Sequence, residues 1–288
     1  MIDSARLLAS VRALPAFPAV LTELLRLLRD PKASTQQFER AMLRDPALTA
    51  NVLRMANSSV FGLRRKVVDV AHAINLLGAA RISELALTAG FRATLPESLP
   101  GYGLSRSSFL AHSVAVGLLA ERIAKSQRIL KGSPLFVSGL LHDIGKLVLA
   151  SYLHEVETSL VEKLRGGHIS LLNSEQELLG TDHTAVSALV GKHWGLPEEL
   201  VAAAEGHHEP GKYAGSPQQQ LVDVIHVANI AAHAFGYGYD VAGLARRPDH
   251  AAFGRLGLKI GDLERLASDV LEAVSEATRV LSREEGGQ

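Results

Sequence analysis

The chain has 288 residues, of which 47% are apolar and 21% charged, a composition typical of a globular protein with a sizeable core. Thirty basic residues balance thirty acidic ones, so net charge gives no bulk attraction to nucleic acid or an anionic membrane. Cysteine is absent, which excludes disulfides and thiolate-bound zinc. We find neither a signal-peptide pattern nor an apolar run of bilayer length, and therefore expect a cytoplasmic protein with no membrane partner.

The first 95 residues show helical periodicity throughout. Asp45 is typical of an N-cap, and Pro46 is typical of a first helical turn, where a proline loses no hydrogen bond. Ser34 and Gln37 have the spacing of a capping box. The helices predicted in this part lie between Pro18 and Arg29, after Ser34, after Asp45, over 70–77 and over 82–91.

A stretch rich in proline and glycine, over 96–107, predicts a linker. The helices predicted after it cover 108–125, 134–153, 155–165, 170–179, 183–194, 197–207 and 218–235. An irregular segment over 236–253 and a last amphipathic helix follow. We therefore expect an all-α protein with a helical module at 1–95, a second helical domain at 108–236, and an irregular segment plus a C-terminal helix at 237–288.

His142 and Asp143 end an apolar helix, and Lys146 follows them. Where a helix ends, the backbone turn lets adjacent histidine and aspartate side chains face one divalent ion. Imidazole nitrogen with carboxylate oxygen suits iron, manganese, zinc or nickel. The dipeptide alone is more typical of a polar helix end. Lys146, if it lies nearby, would add a positive charge suited to a phosphate.

Histidine is abundant, at 12 residues, and its distribution strengthens the metal hypothesis. His112 lies within an apolar helix, where a single histidine is more often buried and hydrogen-bonded. His183 opens a helix, and His207 and His208 close another. Helical bundles build metal sites from side chains on facing helices. The ligands predicted for one or two divalent ions are His112, His142, Asp143, His183, His207 and His208.

The remaining histidines that we considered have no motif partner in the sequence. We predict that each is a surface or hydrogen-bonded side chain. They are His72, His154, His168, His226, His233 and His250.

The order of the ligand candidates resembles the HD superfamily of metal-dependent phosphohydrolases, in which the HD-GYP cyclic-di-GMP phosphodiesterases have similar pocket residues. Three N-terminal blocks resemble the signature of the HDOD family: LPAFPAV at 14–20, RDPALTANVLRMANSSVFG at 44–62 and VAHAINLLGAARISELAL at 70–87. The segment 180–208, GTDHTAVSALVGKHWGLPEELVAAAEGHH, resembles the second half of that family. The resemblance spans about residues 12–236. It implies a bacterial signalling protein in which a helical N-terminal module packs against an HD-like helical bundle.

Two departures from the superfamily bear on catalysis. Its last metal-binding aspartate lies in a late V-x-x-A-D run, where this chain has Asn229, a poorer ligand for hard metals. Asp223 lies six residues earlier on the same predicted helix and should face another way. The Asp-Gly-x-Gly-Tyr-Pro stretch of HD-GYP proteins is replaced by HHEPGKYAG at 207–215. The resemblance therefore implies a degenerate relative that lacks one ligand and the substrate motif.

These observations predict a signal-transduction HDOD module that binds a protein partner, with a nucleotide or cyclic dinucleotide as a further candidate ligand, and that has no turnover. The alternative is a metal-dependent phosphohydrolase acting on a nucleotide or cyclic dinucleotide. Asp143 and Lys146 would then be catalytic, Lys146 by stabilising charge on the phosphoryl group. A third hypothesis is a metal-bearing sensor without turnover. Nucleic acid is not an expected partner.

Overall fold

The computed structural model describes residues 2–58, 66–165, 170–238, 248–259 and 261–282. The helices are α1 (Ser4–Ala13), α2 (Ala19–Leu28), α3 (Thr35–Met42), α4 (Pro46–Ala56), α5 (Val70–Leu77), α6 (Ala79–Thr94), α7 (Arg106–Gln127), α8 (Leu135–Leu141), α9 (Lys146–Glu155), α10 (Glu157–Arg165), α11 (Leu171–Leu179), α12 (His183–His193), α13 (Glu198–Gly206), α14 (Gln219–Ala234), α15 (His250–Arg255) and α16 (Asp262–Ser282). A short antiparallel hairpin, β1 (Ser98–Leu99) with β2 (Leu104–Ser105), and a 3-10 helix at Pro210–Tyr213 complete the regular structure of these residues. The predicted all-α fold is confirmed.

Contacts divide the chain into two units. The larger unit comprises Met1–Pro15 and Pro96–Val270, and the smaller unit comprises Ala16–Leu95 and Leu271–Gln288. Because helix α1 contacts α9 and α12, it belongs to the larger unit, whereas the sequence predicts one continuous module over 1–95. The expected domain boundaries stay a prediction, because contacts alone do not identify parts that fold independently.

The smaller unit packs α2, α3, α4 and α5 against α6. Its helices begin where local sequence predicts. The Asp45 carboxylate accepts a hydrogen bond from the Leu48 backbone N–H at 2.9 Å, and Gln37 Oε1 accepts one from the Ser34 N–H at 2.7 Å. These side chains satisfy backbone donors that have no partner inside the helix.

In the larger unit, α7 lies against both α8 and α14. The crossing of α7 and α8 is close because glycine lies on both sides of it. A Cβ on Gly139 of α8 would lie 2.4 Å from the backbone nitrogen of Gly117 on α7, closer than two such atoms can approach. The close crossing brings the ring of His112 on α7 to 5.2 Å from the ring of His142 at the end of α8, measured between centroids.

The single helix predicted over 134–153 is wrong. Helix α8 ends at Leu141 and α9 begins at Lys146, and the four residues between them form a turn. Leu135–Glu155 has the length and apolar composition of a membrane span, although His142, Asp143 and Lys146 interrupt it, so it is not a continuous apolar run. Within the protein 89% of its most apolar window is buried, and a core helix passes the same test.

Two further expectations need correction. The stretch 96–107, expected as a linker, contains the hairpin β1–β2 and the first residues of α7. The segment 236–253, expected to be irregular, contains the start of α15, and its residues 239–247 lie outside the described part. Short elements of this kind depend on packing that local periodicity does not reveal.

Replacing Gly139 with alanine should destabilise the larger unit, because the new Cβ would overlap backbone atoms of Gly117 that cannot move aside. We expect the free energy of unfolding to fall by about 1–3 kcal/mol, the usual cost of overpacking, as measured by urea denaturation. Gly254→Ala is the matched control, since a Cβ on this helical glycine would meet nothing within 4 Å. Equal unfolding midpoints for the two variants would contradict the close crossing.

Candidate metal centre

Five of the six predicted ligands surround one buried point in the larger unit. His112 comes from the middle of α7, and His142 and Asp143 come from the turn after α8. His183 is the first residue of α12, and His207 follows the end of α13. Each of these side chains is 3% exposed or less. The ends of three helices therefore converge on the inner face of α7.

The Asp143 carboxylate is the common neighbour of these imidazoles. Its Oδ1 lies 3.4 Å from Nε2 of His183 and 3.4 Å from Nε2 of His207. Its Oδ2 lies 3.3 Å from Nε2 of His142 and 3.8 Å from Nε2 of His112. Each imidazole thus directs the same ring nitrogen, Nε2, toward one carboxylate.

The opposite ring nitrogen of each histidine is held by an acceptor. Nδ1 of His142 lies 2.7 Å from the carbonyl oxygen of Gly139, and Nδ1 of His207 lies 2.8 Å from that of Ala204. A carbonyl oxygen only accepts hydrogen bonds, so Nδ1 carries the hydrogen. In the neutral ring Nε2 then keeps its lone pair.

The same orientation holds for the other two histidines. Nδ1 of His112 lies 3.1 Å from the carbonyl oxygen of Tyr237. Nδ1 of His183 lies 2.7 Å from Oε2 of Glu175. All four rings therefore hold their Nδ1 hydrogen outward and present Nε2 to the centre, which is the arrangement usual for histidines that bind a metal.

The buried atoms at the centre fit a divalent cation. Nε2 of His142, His183 and His207 and Oδ1 of Asp143 have no hydrogen-bond partner among the residues that the structure describes. Nitrogen lone pairs that face a carboxylate repel it, and a cation placed among them turns this repulsion into ligation. The donor set of imidazole and carboxylate suits iron, manganese, zinc or nickel.

The protonation states of two ligand candidates agree with this fit. Burial lowers the pKa of His207 to about 3, although the neighbouring Asp143 opposes the shift. Burial by itself would raise the pKa of Asp143, but the positive charges of the adjacent His142, when its ring is protonated, and of Lys146 outweigh burial and hold that pKa well below its usual value. At pH 7 the imidazole of His207 is neutral and the carboxylate is ionised, the forms that bind a metal.

The ligand candidates fall into two groups. His112, His142 and Asp143 form one, and His183, His207 and His208 form the other. Within each group the ligand atoms lie within 4.8 Å of one another. His208 is half-buried, and its ring centroid lies 4.2 Å from that of His207. The pair of groups is compatible with one or two ions.

The turn between α8 and α9 is held against the start of α12 by a close backbone contact. The Gly145 N–H donates to Oγ of Ser187 at 2.8 Å. A Cβ on Gly145 would lie 2.1 Å from the carbonyl oxygen of His183, so only glycine fits there. This contact brings Asp143 and His183 together although they lie on separate elements.

Lys146 is buried within the centre, beside Asp143. Its Nζ is 2.8 Å from Oδ2 of Asp143, and the side chain is 1% exposed. The ammonium therefore balances the buried carboxylate from one side. The role at a phosphate that the sequence suggests stays a prediction.

The two polar residues of α14 singled out in the sequence differ in their surroundings. Asn229 is buried, and its Oδ1 has no hydrogen-bond partner within the described ranges. The carboxylate of Asp223 accepts hydrogen bonds from Nε of Arg255 at 2.8 Å and from its Nη2 at 2.7 Å. Asp223 is thus bound by an arginine and lies outside both groups of ligand candidates.

Several residues around the centre were not predicted. Glu175 and Tyr102 form a hydrogen-bonded pair beside His183, and no spacing rule connects them to it. The ring of His233 stacks on that of His112, with centroids 4.2 Å apart. The sequence could have indicated that His233 lies near the centre, because His233 follows Asn229 by four residues and therefore lies on the same face of α14.

His226 is hydrogen-bonded, as predicted for a histidine without a motif partner. Its Nδ1 donates to the carbonyl oxygen of His207 at 2.8 Å, and its Nε2 accepts from the Asp249 N–H at 2.9 Å. His154 is exposed and lies 2.9 Å from a carboxylate oxygen of Glu157. His168 lies outside the described residues.

Comparisons with known proteins agree with this architecture. The family model of the HDOD domain matches residues 14–210. Over 220 residues the chain is 23% identical to an uncharacterised protein of Treponema pallidum (strain Nichols), a match that covers 75% of this chain and 42% of that relative. The chain thus corresponds to less than half the length of the curated relative that it matches.

Three solved structures have the same fold. An HDOD domain protein of unknown function from Geobacter sulfurreducens has a TM-score of 0.76 at 22% identity, covering 97% of this chain and 98% of that one. A provisionally assigned phosphohydrolase from Shewanella amazonensis SB2B has a TM-score of 0.71 at 23% identity, covering 97% and 98%. A provisionally assigned signal transduction protein from Marinobacter aquaeolei VT8 has a TM-score of 0.74 at 20% identity, covering 96% and 65%. At these identities the likeness shows the fold alone.

The lowered pKa of His207 predicts a pH dependence of stability in protein stripped of metal. The folded-state pKa of about 3 lies below the unfolded value of 6.5, so the unfolded chain takes up a proton first as pH falls. The stabilisation is complete above pH 6.5 and is lost progressively toward pH 3. Between pH 7 and pH 5 this residue should remove about 2 kcal/mol from the free energy of unfolding. Urea denaturation at the two pH values should show that loss in the wild type and a correspondingly smaller one in His207→Gln; identical pH slopes would disprove it.

Proposed function

Because the chain belongs to the HDOD family, we propose that it is a signal transduction module whose larger unit holds a divalent metal ion at the buried histidine centre. The observation that carries the proposal is the common orientation of four imidazoles, whose Nε2 atoms all face the Asp143 carboxylate. Hydrogen bonds on every Nδ1 fix that orientation before any ion arrives. Preorganised ligands of this kind are typical of a resident metal.

The ion would be held by imidazoles from both ligand groups and by the carboxylate of Asp143. When bound, it would supply a positive charge that attracts the Nε2 lone pairs of the imidazoles and the carboxylate of Asp143. The chain supplies the rest: backbone carbonyls orient the rings, and Lys146 offsets part of the negative charge. Since the ligands come from the ends of α8, α13 and α12 and from α7, occupancy of the centre would tie these four helices together.

We propose that the protein signals by binding a partner and that the centre does not catalyse a reaction. The ligand side chains are 3% exposed or less apart from the half-buried His208, so a substrate would have to reach groups that are almost completely buried. Asn229 stands where the superfamily has its last metal-binding aspartate, which would weaken a hydrolytic centre. The partner is proposed to be a signalling protein, and the setting the bacterial cytoplasm.

A metal-dependent phosphohydrolase is the second candidate function. The observation in its favour is the pair of adjoining ligand groups, because two neighbouring metal ions are the usual apparatus for displacement at phosphorus. Lys146 would then neutralise charge beside Asp143, and the substrate would be a nucleotide or cyclic dinucleotide. The half-buried His208 marks the side of the centre nearest to solvent.

Metal analysis tests the proposed function and separates it from the alternative. Protein purified without chelators should carry close to one equivalent or more of iron, manganese, zinc or nickel by elemental analysis. His142→Ala should lose most of it, whereas His154→Ala, which alters an exposed histidine of α9, should keep it. Hydrolysis of bis(p-nitrophenyl) phosphate that His142→Ala abolishes would establish the phosphohydrolase. Wild-type protein that neither carries nor takes up any of these metals would overturn the metal centre.

Asn229→Asp should strengthen metal binding, because a carboxylate would replace a neutral amide whose Oδ1 is buried without a hydrogen-bond partner in the described structure. We expect affinity to rise by about tenfold, equivalent to ~1.4 kcal/mol, in competition with a chromogenic chelator. Asp223→Asn is the control on the same helix, since its carboxylate is bound to Arg255 and lies outside both ligand groups. An unchanged affinity in Asn229→Asp would show that this position does not face the ion.

A further inference from the structure

We infer that Glu175, braced by Tyr102, is a positioning residue that fixes His183 as the most strongly donating ligand of the metal centre. The inference rests on the metal-binding function proposed above and extends it beyond the ligand set. It assigns a role to two buried polar residues and to the hairpin segment that carries one of them.

The Glu175 carboxylate holds His183 at two points. Its Oε2 accepts a hydrogen bond from the His183 backbone N–H at 2.9 Å and lies 2.7 Å from the ring Nδ1. Glu175 and His183 are both 0% exposed. A bond to the backbone and a second to the ring of the same residue restrict rotation of the side chain, so Nε2 stays directed at Asp143.

Helix capping does not account for this carboxylate. Helix α12 already has an N-cap, Asp182, whose Oδ1 accepts from the N–H groups of Thr184 and Ala185 at 2.9 and 3.0 Å. Glu175 takes the remaining N–H, that of His183, and adds the bond to the imidazole. The bond to Nδ1 is the part that a capping role does not need.

His183 differs from the other three histidines in its acceptor. Nδ1 of His112, His142 and His207 lies against neutral backbone carbonyls, whereas Nδ1 of His183 lies against a carboxylate. Hydrogen bonds to a charged acceptor are about twice as strong as neutral ones. A carboxylate at Nδ1 also makes Nε2 more basic and therefore a better metal ligand.

Tyr102 completes the arrangement from the hairpin. Its hydroxyl donates to Oε1 of Glu175 at 2.7 Å, so both oxygens of the buried carboxylate accept hydrogen bonds. Its ring lies beneath Nζ of Lys146, at 5.4 Å from the ring centroid, and Lys146 is the ion-pair partner of Asp143. One residue from the turn between β1 and β2 thus contacts the supports of both His183 and Asp143.

Metal affinity of the full chain, measured by chelator competition with zinc as the probe, tests the inference. Glu175→Gln keeps an oxygen acceptor for Nδ1 but removes the charge, and should weaken binding by about 10–100-fold. Tyr102→Phe should weaken it in the same direction by a smaller factor. The matched controls should bind as the wild type does. They are Glu177→Gln, at an exposed position of α11, and Tyr152→Phe, which removes a buried hydroxyl bonded to Ser10.

A readout without metal separates this inference from the function on which it rests. In chelator-treated protein, long-range ¹H–¹⁵N spectra should show the His183 hydrogen on Nδ1 in the wild type and a mixture of both tautomers in Glu175→Ala. If the wild type binds no metal, the proposed function fails while the tautomer result still decides the positioning role. If the wild type binds zinc and both Glu175→Gln and Tyr102→Phe bind it equally well, the inference fails and the metal centre stands.

Discussion

The larger unit is organised around the burial of one carboxylate. Moving a charge such as that of Asp143 out of water costs several kcal/mol unless partners compensate. Lys146 compensates at Oδ2, but the imidazoles that surround both oxygens present lone pairs rather than hydrogens. A further positive charge at the centre, such as the metal ion proposed above, would complete the compensation of this carboxylate. Close backbone contacts at glycines, the helix ends and the carbonyl acceptors together hold the histidines around this carboxylate.

The helix starts and the ligand candidates could largely be predicted from the sequence, because they depend on local patterns of residues. N-caps such as Asp45 bind backbone N–H groups a few residues away, so residue type and spacing suffice to place helix starts. The ligand candidates were recognisable because several histidines fall within or at the ends of predicted helices and because their order resembles that of a known superfamily. Whether those helix ends meet could not be read from spacing, since His112 and His207 lie 95 positions apart in the sequence.

The features that could not be predicted depend on contacts between distant parts of the chain. The bond between Tyr102 and Glu175 joins residues 73 positions apart, and neither residue type is unusual where it stands. The turn between α8 and α9 falls at His142 and Asp143, where the sequence suggests a helix end, although the periodicity also predicted one helix over 134–153. The contact of Gly145 in this turn with the start of α12 is visible only in the folded structure. The position of His233 against His112 likewise reflects the packing of α14 on α7.

The N-terminal helix extends the packed core of the larger unit beyond the segment that the family model matches. Helix α1 buries Leu7 and Val11 where it contacts α9 and α12, and the Ile2 N–H donates to the carbonyl oxygen of Leu179 at the end of α11. A polypeptide trimmed to the segment that the family model matches, 14–210, would lose this helix and also α14. The segment matched by the family model is therefore shorter than the packed larger unit, and shortened forms for crystallography should retain both α1 and α14.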